Sequence, residues 1–300
     1  MKTRRYGIID RQKRRMLIPF LLPALVLYGA ITLYPGISTF YMSVMDWGGV
    51  GDPVFIGLDN FTRLVRDPTL IKAAGNTFFY VVVGGFILFP LAITFALATK
   101  SLRRGKLYRF LILAPIALSV TTAALLWKFA FNPNFGFVGD VFAALGLEAL
   151  SSWEWLGEPS TALFIVVLAS VWHGIGIWML FFISAIERVP PELREAAILD
   201  GANAFQVFRH ITFPLIWEMT RTLIILWIIQ ASQAFGFIIA MTNGGPLGAT
   251  EVIGTYLYKQ AFVQFEYGYA AAVAIVLSLV VVTLTVISRR IGRRGEGVEY

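Results

Sequence analysis

Between two long apolar stretches the chain reads Glu195-Ala196-Ala197-Ile198-Leu199-Asp200-Gly201, and shortly after Ile211-Thr212-Phe213-Pro214. The pattern is that of a docking element. Pro191 suits the first position of a helix, and Glu192 and Glu195 then complement the dipole of its first turn. Gly201 fits a helix stop, where a left-handed backbone is needed. Asn203 followed three residues later by Gln206 reads as a capping box. The second helix presents Phe205, Phe208 and Ile211, and Pro214 is expected to end it. The segment therefore predicts two short helices around a glycine turn, with Leu193, Ala196 and Ala197 as a small apolar face on the first. Between Glu187 and Arg209 lie four acids and three arginines. A helix lying on anionic lipid would be rich in Lys and Arg, so the near balance points to a groove on a protein.

The rest of the chain is poor in groups that react. It has no cysteine, which excludes disulfides, thiol nucleophiles and cysteine metal sites. Its two histidines, His173 and His210, form no His-Glu-x-x-His motif, and no carboxylate pair lies in an apolar stretch. The one Gly-Lys pair, Gly105-Lys106, is followed by Leu107 and lacks the upstream glycine of a phosphate-binding loop. The chain is expected to be no enzyme, to bind no cofactor or metal itself, and to hydrolyse no ATP.

What must position these residues is a membrane. Of 300 residues 57% are apolar and 14% charged, and the mean hydropathy is +0.72. Six windows hold no Asp, Glu, Lys or Arg: Met16–Met45, Ala73–Thr99, Phe110–Trp127, Pro159–Ile186, Thr222–Thr250 and Tyr267–Ser288. A hydrocarbon core about 30 Å thick takes roughly 20 helical residues. The windows predict an all-α polytopic membrane protein with six transmembrane helices, over about 17–44, 73–99, 108–130, 160–186, 219–241 and 267–288. A basic tail (1–15), a cytoplasmic loop (187–217) and a C-terminal tail (289–300) complete it, and the first span is read as retained.

The net charge of +7 does not point to nucleic acid, because the charges alternate from loop to loop. Twenty of the 25 Lys and Arg lie in Met1–Arg15, Lys100–Arg109, Glu187–Arg221 and Arg289–Arg294, and five lie in the intervening loops. The positive-inside rule then places both termini in the cytoplasm. Gly57 to Val65, with Leu58, Phe61, Leu64 and Val65 on one face, predicts a short amphipathic helix on the outer surface. Thr242-Asn243-Gly244-Gly245-Pro246 is a strong turn.

The Glu-Ala-Ala, Gly, Ile and Pro spacing resembles the cytoplasmic loop of binding-protein-dependent ABC importer permeases. Glu195, Ala196, Ala197, Gly201, Ile211 and Pro214 match it, and Phe213 replaces the usual Leu. Phe55 to Phe61, Asp67-Pro68, Asn76-Thr77, Pro190 to Leu193, Asp200 to Ala202, Thr242 to Pro246, Thr250-Glu251, Tyr258, Ala261-Phe262 and Gly268 to Ala270 resemble the sugar-type branch, which includes maltose and glycerol-3-phosphate permeases.

The resemblance implies a type I ABC importer transmembrane domain of MetI-like fold in a bacterial or archaeal cytoplasmic (inner) membrane. It implies a separate ABC ATPase dimer that carries ATP and Mg, a second and different permease, and an extracytoplasmic solute-binding protein. The ATPase would be coupled through Glu195, Ala196, Ala197, Asp200, Gly201, Phe205, Phe208, Ile211 and Pro214. Polar residues at mid-membrane mark pathways, and two stripes at helical spacing qualify. Ser170, His173, Gly174 and Ile177 form one; Trp227, Gln230, Ala231 and Ala234, with Gln233, form the other. By resemblance they line the site for a sugar-like solute. For His173 a bond to a neighbouring helix remains an equal reading, as packing does for Trp172, Trp178 and Trp227. The alternative function is an ion-coupled secondary transporter, which commonly needs ionisable groups inside the membrane; the six windows hold no Asp, Glu, Lys or Arg.

Overall fold

The computed structural model describes residues 19–292. The basic tail expected over 1–15 and positions 293–300 of the C-terminal tail lie outside the described residues. The first helices are α1 (Pro19–Ser43), α2 (Asp59–Arg66), α3 (Pro68–Ser101), α4 (Gly105–Leu113), α5 (Val120–Ala130), α6 (Phe137–Ala144) and α7 (Glu148–Ser151). There follow α8 (Ala162–Glu187), α9 (Pro191–Leu199), α10 (Ala204–Ser232), α11 (Gly236–Met241), α12 (Ile253–Phe262) and α13 (Tyr267–Gly292). The strands among the described residues are one short antiparallel pair, Met45–Asp46 and Val54–Phe55. Helices α1, α3, α8, α10 and α13 are long and apolar enough to cross a bilayer.

The chain forms two compact units, residues 19–66 with 260–276, and residues 67–259 with 277–292. In the first, α2 is held by a polar anchor. The Asn60 amide donates to the carbonyls of Ser43 and Met45, both at 2.9 Å. Arg63 pairs with Glu266 at 2.7 Å and lies 4.0 Å over the Tyr269 ring. Only part of the expected apolar face of α2 is turned inward: Leu64 is buried, whereas Leu58 and Val65 are exposed. The amphipathic stripe is thus split, because the buried side is centred on the Asn60 hydrogen bonds.

In the second unit α3 packs along α8. Asp67 caps α3 by accepting from the Thr69 and Leu70 N–H groups, and Pro68 occupies the first turn. Ala73, Thr77, Tyr80, Gly84, Leu88, Ala92, Ala96 and Thr99 are buried three or four residues apart, one face of a helix. Small residues on that face admit close neighbours. A Cβ at Gly84 would lie 2.6 Å from the Trp227 ring. The indole N–H of Trp227 donates to the Val81 carbonyl at 2.8 Å.

The span expected as one helix over 108–130 is broken. Helix α4 runs into a 3₁₀ turn at Ala114–Ala117, and α5 leaves at an angle of 98°. Pro115 removes a helical donor and Leu118 is extended (ψ 145). Ser119 then starts α5 by accepting from the Thr122 N–H at 3.1 Å.

The span expected over 219–241 also differs. Helix α10 begins at Ala204, and Pro214 does not end it. A π-turn at Phe208–Thr212, in which the Phe213 N–H reaches the Phe208 carbonyl, precedes the proline. The widened turn accommodates the ring and the missing donor. The helix stops instead at Ser232, and α11 starts at Gly236 after three irregular residues.

The loop 242–252 is tied down by side chains. Lys72 donates to the Leu247 carbonyl (2.8 Å), and Asn76 to those of Gly248 (3.2 Å) and Glu251 (2.7 Å). Lys259 bridges the Asn243 carbonyl (2.9 Å) and the Glu251 carboxylate (2.5 Å), and Tyr256 donates to Asp67.

Gly84→Leu is expected to overpack the Trp227 seat at a cost of about 1–3 kcal/mol, lowering the thermal midpoint of the detergent-purified chain. Gly75→Leu, on the same helix with nothing within 4 Å of its added Cβ, should not. Equal midpoints would contradict the close α3–α10 contact.

Candidate substrate cavity and coupling segment

Helices α8 and α10 bring the two predicted stripes together. Ser170, His173, Gly174 and Ile177 of α8 face Trp227, Gln230 and Ala231 of α10, with Gln233 and Ala234 just beyond its end. All nine border one cavity of about 320 Å³. Sequence reasoning missed its other walls: Tyr80 and Leu88 of α3, Ile116 and Val120 on either side of the 98° bend, and Phe235 to Phe237 at the second break. Pro115 and the Gly84-Gly85 pair were the available signals.

The lining groups differ in what they have left to offer. The Ser170 hydroxyl donates to the Val167 carbonyl at 2.8 Å. His173 Nε2 lies 3.1 Å from the Leu118 carbonyl. A carbonyl only accepts, so Nε2 carries the proton. That carbonyl belongs to the extended residue between α4 and α5, where no helical donor reaches it, and His173 serves as its partner. The ring also meets Phe237 edge-on, with centroids 5.5 Å apart. Trp227 is 7% exposed, stacks against Tyr80 and has its N–H engaged by Val81. Ala231 is buried as well. These two are walls of the cavity more than contacts for a ligand.

Gln230 and Gln233 are exposed, and no described group holds their amides. Each offers a donor pair and an acceptor, the complement of solute hydroxyl groups. Tyr80, Trp178, Trp227, Phe235 and Phe237 give the cavity aromatic walls, and among the described residues no Asp, Glu, Lys or Arg borders it.

A second candidate site is the segment after α8. Pro191 occupies the first turn of α9. The helix ends as expected at Gly201 (φ +87), where Ala202 N–H bonds Ala197 O at 2.9 Å and Gly201 N–H bonds Ile198 O at 3.0 Å. These are the two bonds of a Schellman stop. Asn203 and Gln206 form the reciprocal capping box, at 3.0 and 2.8 Å. Yet α9 buries no residue. Glu195, Ala196 and Asp200 are exposed and Ala197 half-buried. Leu193, Ile198 and Leu199 are exposed, Leu199 at 87%. Phe205 and Pro214 are exposed, and Phe208 and Ile211 half-buried. A nine-residue helix in water is marginal by itself. Its C-terminal end is fixed by the Schellman stop, its N-terminal end carries Pro191 and no side-chain cap, and its apolar side chains are left open.

Residues 88–295 match the family described as "Binding-protein-dependent transport system inner membrane component". The chain belongs to that family. It is therefore a membrane-embedded transport subunit of the ABC permease type and not an enzyme.

It is 34% identical over 286 residues to the "Probable ABC transporter permease protein YurN" of Bacillus subtilis, covering 92% of this chain and 96% of that one. It is 32% identical to the "Diacetylchitobiose uptake system permease protein NgcF" of Streptomyces coelicolor, over 93% of this chain and 84% of that one. A bacterial ABC transporter "involved in the import of the acidic polysaccharide alginate" shares the fold of this permease, with a TM-score of 0.84, 23% identity, and 97% and 100% of the two chains covered. A "bacterial alginate ABC transporter in complex with alginate pentasaccharide-bound periplasmic protein" shares the fold as well, with a TM-score of 0.84, 23% identity, and 96% and 98% of the two chains covered.

His173→Ala in this permease should leave the Leu118 carbonyl unpartnered at the bend, costing about 1–3 kcal/mol and lowering the thermal midpoint. Gln230→Ala should leave the midpoint unchanged. Equal midpoints would remove His173 as the support of the bend.

Proposed function

We propose that this permease is one transmembrane subunit of an ATP-driven, solute-binding-protein-dependent importer of a neutral sugar or oligosaccharide. The observation that carries the reading is the uncharged cavity in which two free amides stand among aromatic walls. Planar aromatic faces and amides suit the apolar faces and hydroxyl groups of a saccharide. An anionic solute would need a cationic partner, and among the described residues none borders this cavity. The likeness to a diacetylchitobiose uptake permease supports the saccharide class.

The charge distribution supports cytoplasmic termini, and hence α9 on the cytoplasmic side and the 242–252 loop outside. On this reading the exposed α9 seats in a cleft of a separate ATPase that carries ATP and Mg. Glu195, Ala196, Ala197, Asp200 and Gly201 form the seated knuckle. Phe205, Phe208, Ile211 and Pro214 link it to α10. Movement of the ATPase dimer then shifts α10, which carries Gln230, and biases the cavity between inward-facing and outward-facing states. A second, different permease closes the other half of the pathway, and a solute-binding protein delivers the sugar from outside.

Glu195→Lys and Gly201→Asp are expected to insert normally and to abolish ATP-driven uptake in the reconstituted assembly. Asp at φ +87 strains the stop, and Lys reverses the charge at the docking face. Normal uptake and ATPase stimulation in both variants would overturn the coupling role. Gln230→Ala is expected to raise the KM for uptake about tenfold, the loss of one well-placed hydrogen bond at 1–1.5 kcal/mol. Unchanged kinetics would remove Gln230 from the solute's path.

A further inference from the structure

The turn joining α3 to α4 belongs neither to the cavity walls nor to the coupling segment, yet it gathers cations with no acids to match them. Lys100, Arg103, Arg104, Lys106 and Arg109 fall within ten residues, and no Asp or Glu occurs between Asp67 and Asp140. Arg109 is half-buried, and its Nε donates to the Thr99 hydroxyl at 3.4 Å. The other four are exposed and form no ion pair with a described residue.

A topology signal needs only charge. Here the charges are also held in place. The Leu102 N–H bonds the Ala98 carbonyl at 3.2 Å, and the Gly105 N–H bonds the Leu102 carbonyl at 3.0 Å. Arg103 and Arg104 are thus the two central residues of a closed turn. Gly105 is buried, and a Cβ there would run into the Thr99 carbonyl. Two like charges fixed side by side repel, and an anion between them relieves that cost.

Apolar side chains stand beside the cations. Leu102, Leu107, Tyr108, Phe110 and Leu111 are all exposed, Phe110 at 67%. An excess of Lys and Arg next to leucine and phenylalanine is the signature of a lipid-lying segment, the signature that α9 lacks. The turn also follows directly on α3, a helix long and apolar enough to cross the bilayer, which puts it at headgroup height. A free anion would satisfy the cations alone. A phospholipid satisfies the cations with its headgroup and the apolar side chains with its acyl chains.

We propose that this turn is a binding site for an anionic phospholipid of the inner leaflet. Arg103 and Arg104 take the phosphate, flanked by Lys100 and Lys106, and the acyl chains lie along Leu107, Phe110 and Leu111. The lipid fixes the start of α4, a nine-residue helix whose far end bends at the cavity wall through Ile116. The inference rests on the cytoplasmic placement of the turn and not on the identity of the solute.

The test uses the complete assembly of this chain, its second permease and its ATPase in a neutral detergent. It is titrated with phosphatidylglycerol or phosphatidylcholine, and bound lipid is counted by native mass spectrometry. Arg103→Gln combined with Arg104→Gln is expected to raise the half-occupancy concentration of phosphatidylglycerol about tenfold. Arg103→Lys with Arg104→Lys keeps the charge and should restore it. Arg66→Gln with Lys128→Gln removes two exposed cations elsewhere and should leave it unchanged. Phosphatidylglycerol is also expected to slow hydrogen exchange over 105–113 in the wild type and not in the glutamine pair. Equal half-occupancy in the glutamine pair overturns the site. An equal rise in the Arg66 and Lys128 pair overturns it as well, since net charge then explains the binding. Displacement of the lipid by inorganic phosphate at equal concentration would make this a free-anion site and end the lipid assignment. Loss of the ATPase from the glutamine pair would assign the turn to a subunit contact instead. Unchanged exchange in the wild type removes the hold on α4. Binding in detergent needs no solute and no ATP, so failure here is separable from failure of the importer reading, which uptake tests.

Discussion

A backbone in hydrocarbon must find its hydrogen bonds within the protein, because no water is there to supply them. A long helix without internal proline meets that requirement along its length by itself, and α8 does so here. The candidate substrate cavity of this permease lies where the requirement is hardest to meet. Between α4 and α5 the chain turns by 98°, and between α10 and α11 it loses regular structure for three residues. Both interruptions border the cavity. Irregular backbone at membrane depth is tolerated where it lines a cavity or is buried in protein, and the bend between α4 and α5 has local support. Ser119 starts one new helix, His173 takes the Leu118 carbonyl, and Gly176 lets the chain before the bend cross α8 within 2.6 Å of where a Cβ would stand. Ser170 and His173 of α8 are thus engaged with backbone carbonyls, whereas the open amides, Gln230 and Gln233, stand on and just beyond α10.

The two ends of the second unit answer a different constraint. Outside hydrocarbon a short segment is held only by what caps it or ties it down. The α9 segment is stopped by a Schellman turn and restarted by a capping box, and exposes its apolar side chains. The 242–252 loop reaches the same rigidity by another route, with lysine and asparagine side chains on its carbonyls. Several motifs that marked the sugar-type branch in the sequence meet there: Asp67, Asn76, Thr250-Glu251 and the Thr242 to Pro246 turn. They are joined through space across more than 170 residues of chain.

Local chemistry was legible in advance wherever neighbouring residues alone decide the conformation. Pro191, Gly201, Asn203 and Gln206 announced their turns because caps and left-handed stops are short-range devices. The stripes of α8 and α10 were legible because helical periodicity fixes which residues share a face. Pro214 misled for an equally clear reason. A proline forbids one hydrogen bond, and whether the helix ends or widens into a π-turn depends on what the helix gains further along. Here the apolar α10 continues into the unit and the widened turn wins. The uniform apolarity of 108–130 hid its bend in the same way, since hydropathy records composition and carries no direction.

Composition, charge alternation and helical period thus determined that this chain is a polytopic helical membrane protein, which residues share a face along each span, and where its polar helix–turn–helix segment lies. Only the tertiary structure decided that Trp227 and Ala231 are walls while Gln230 and Gln233 are open, that His173 is committed to a carbonyl 55 residues away, and that α5 turns aside. Those outcomes depend on which backbone groups another segment reaches, and that is a property of the packed chain that no local pattern encodes.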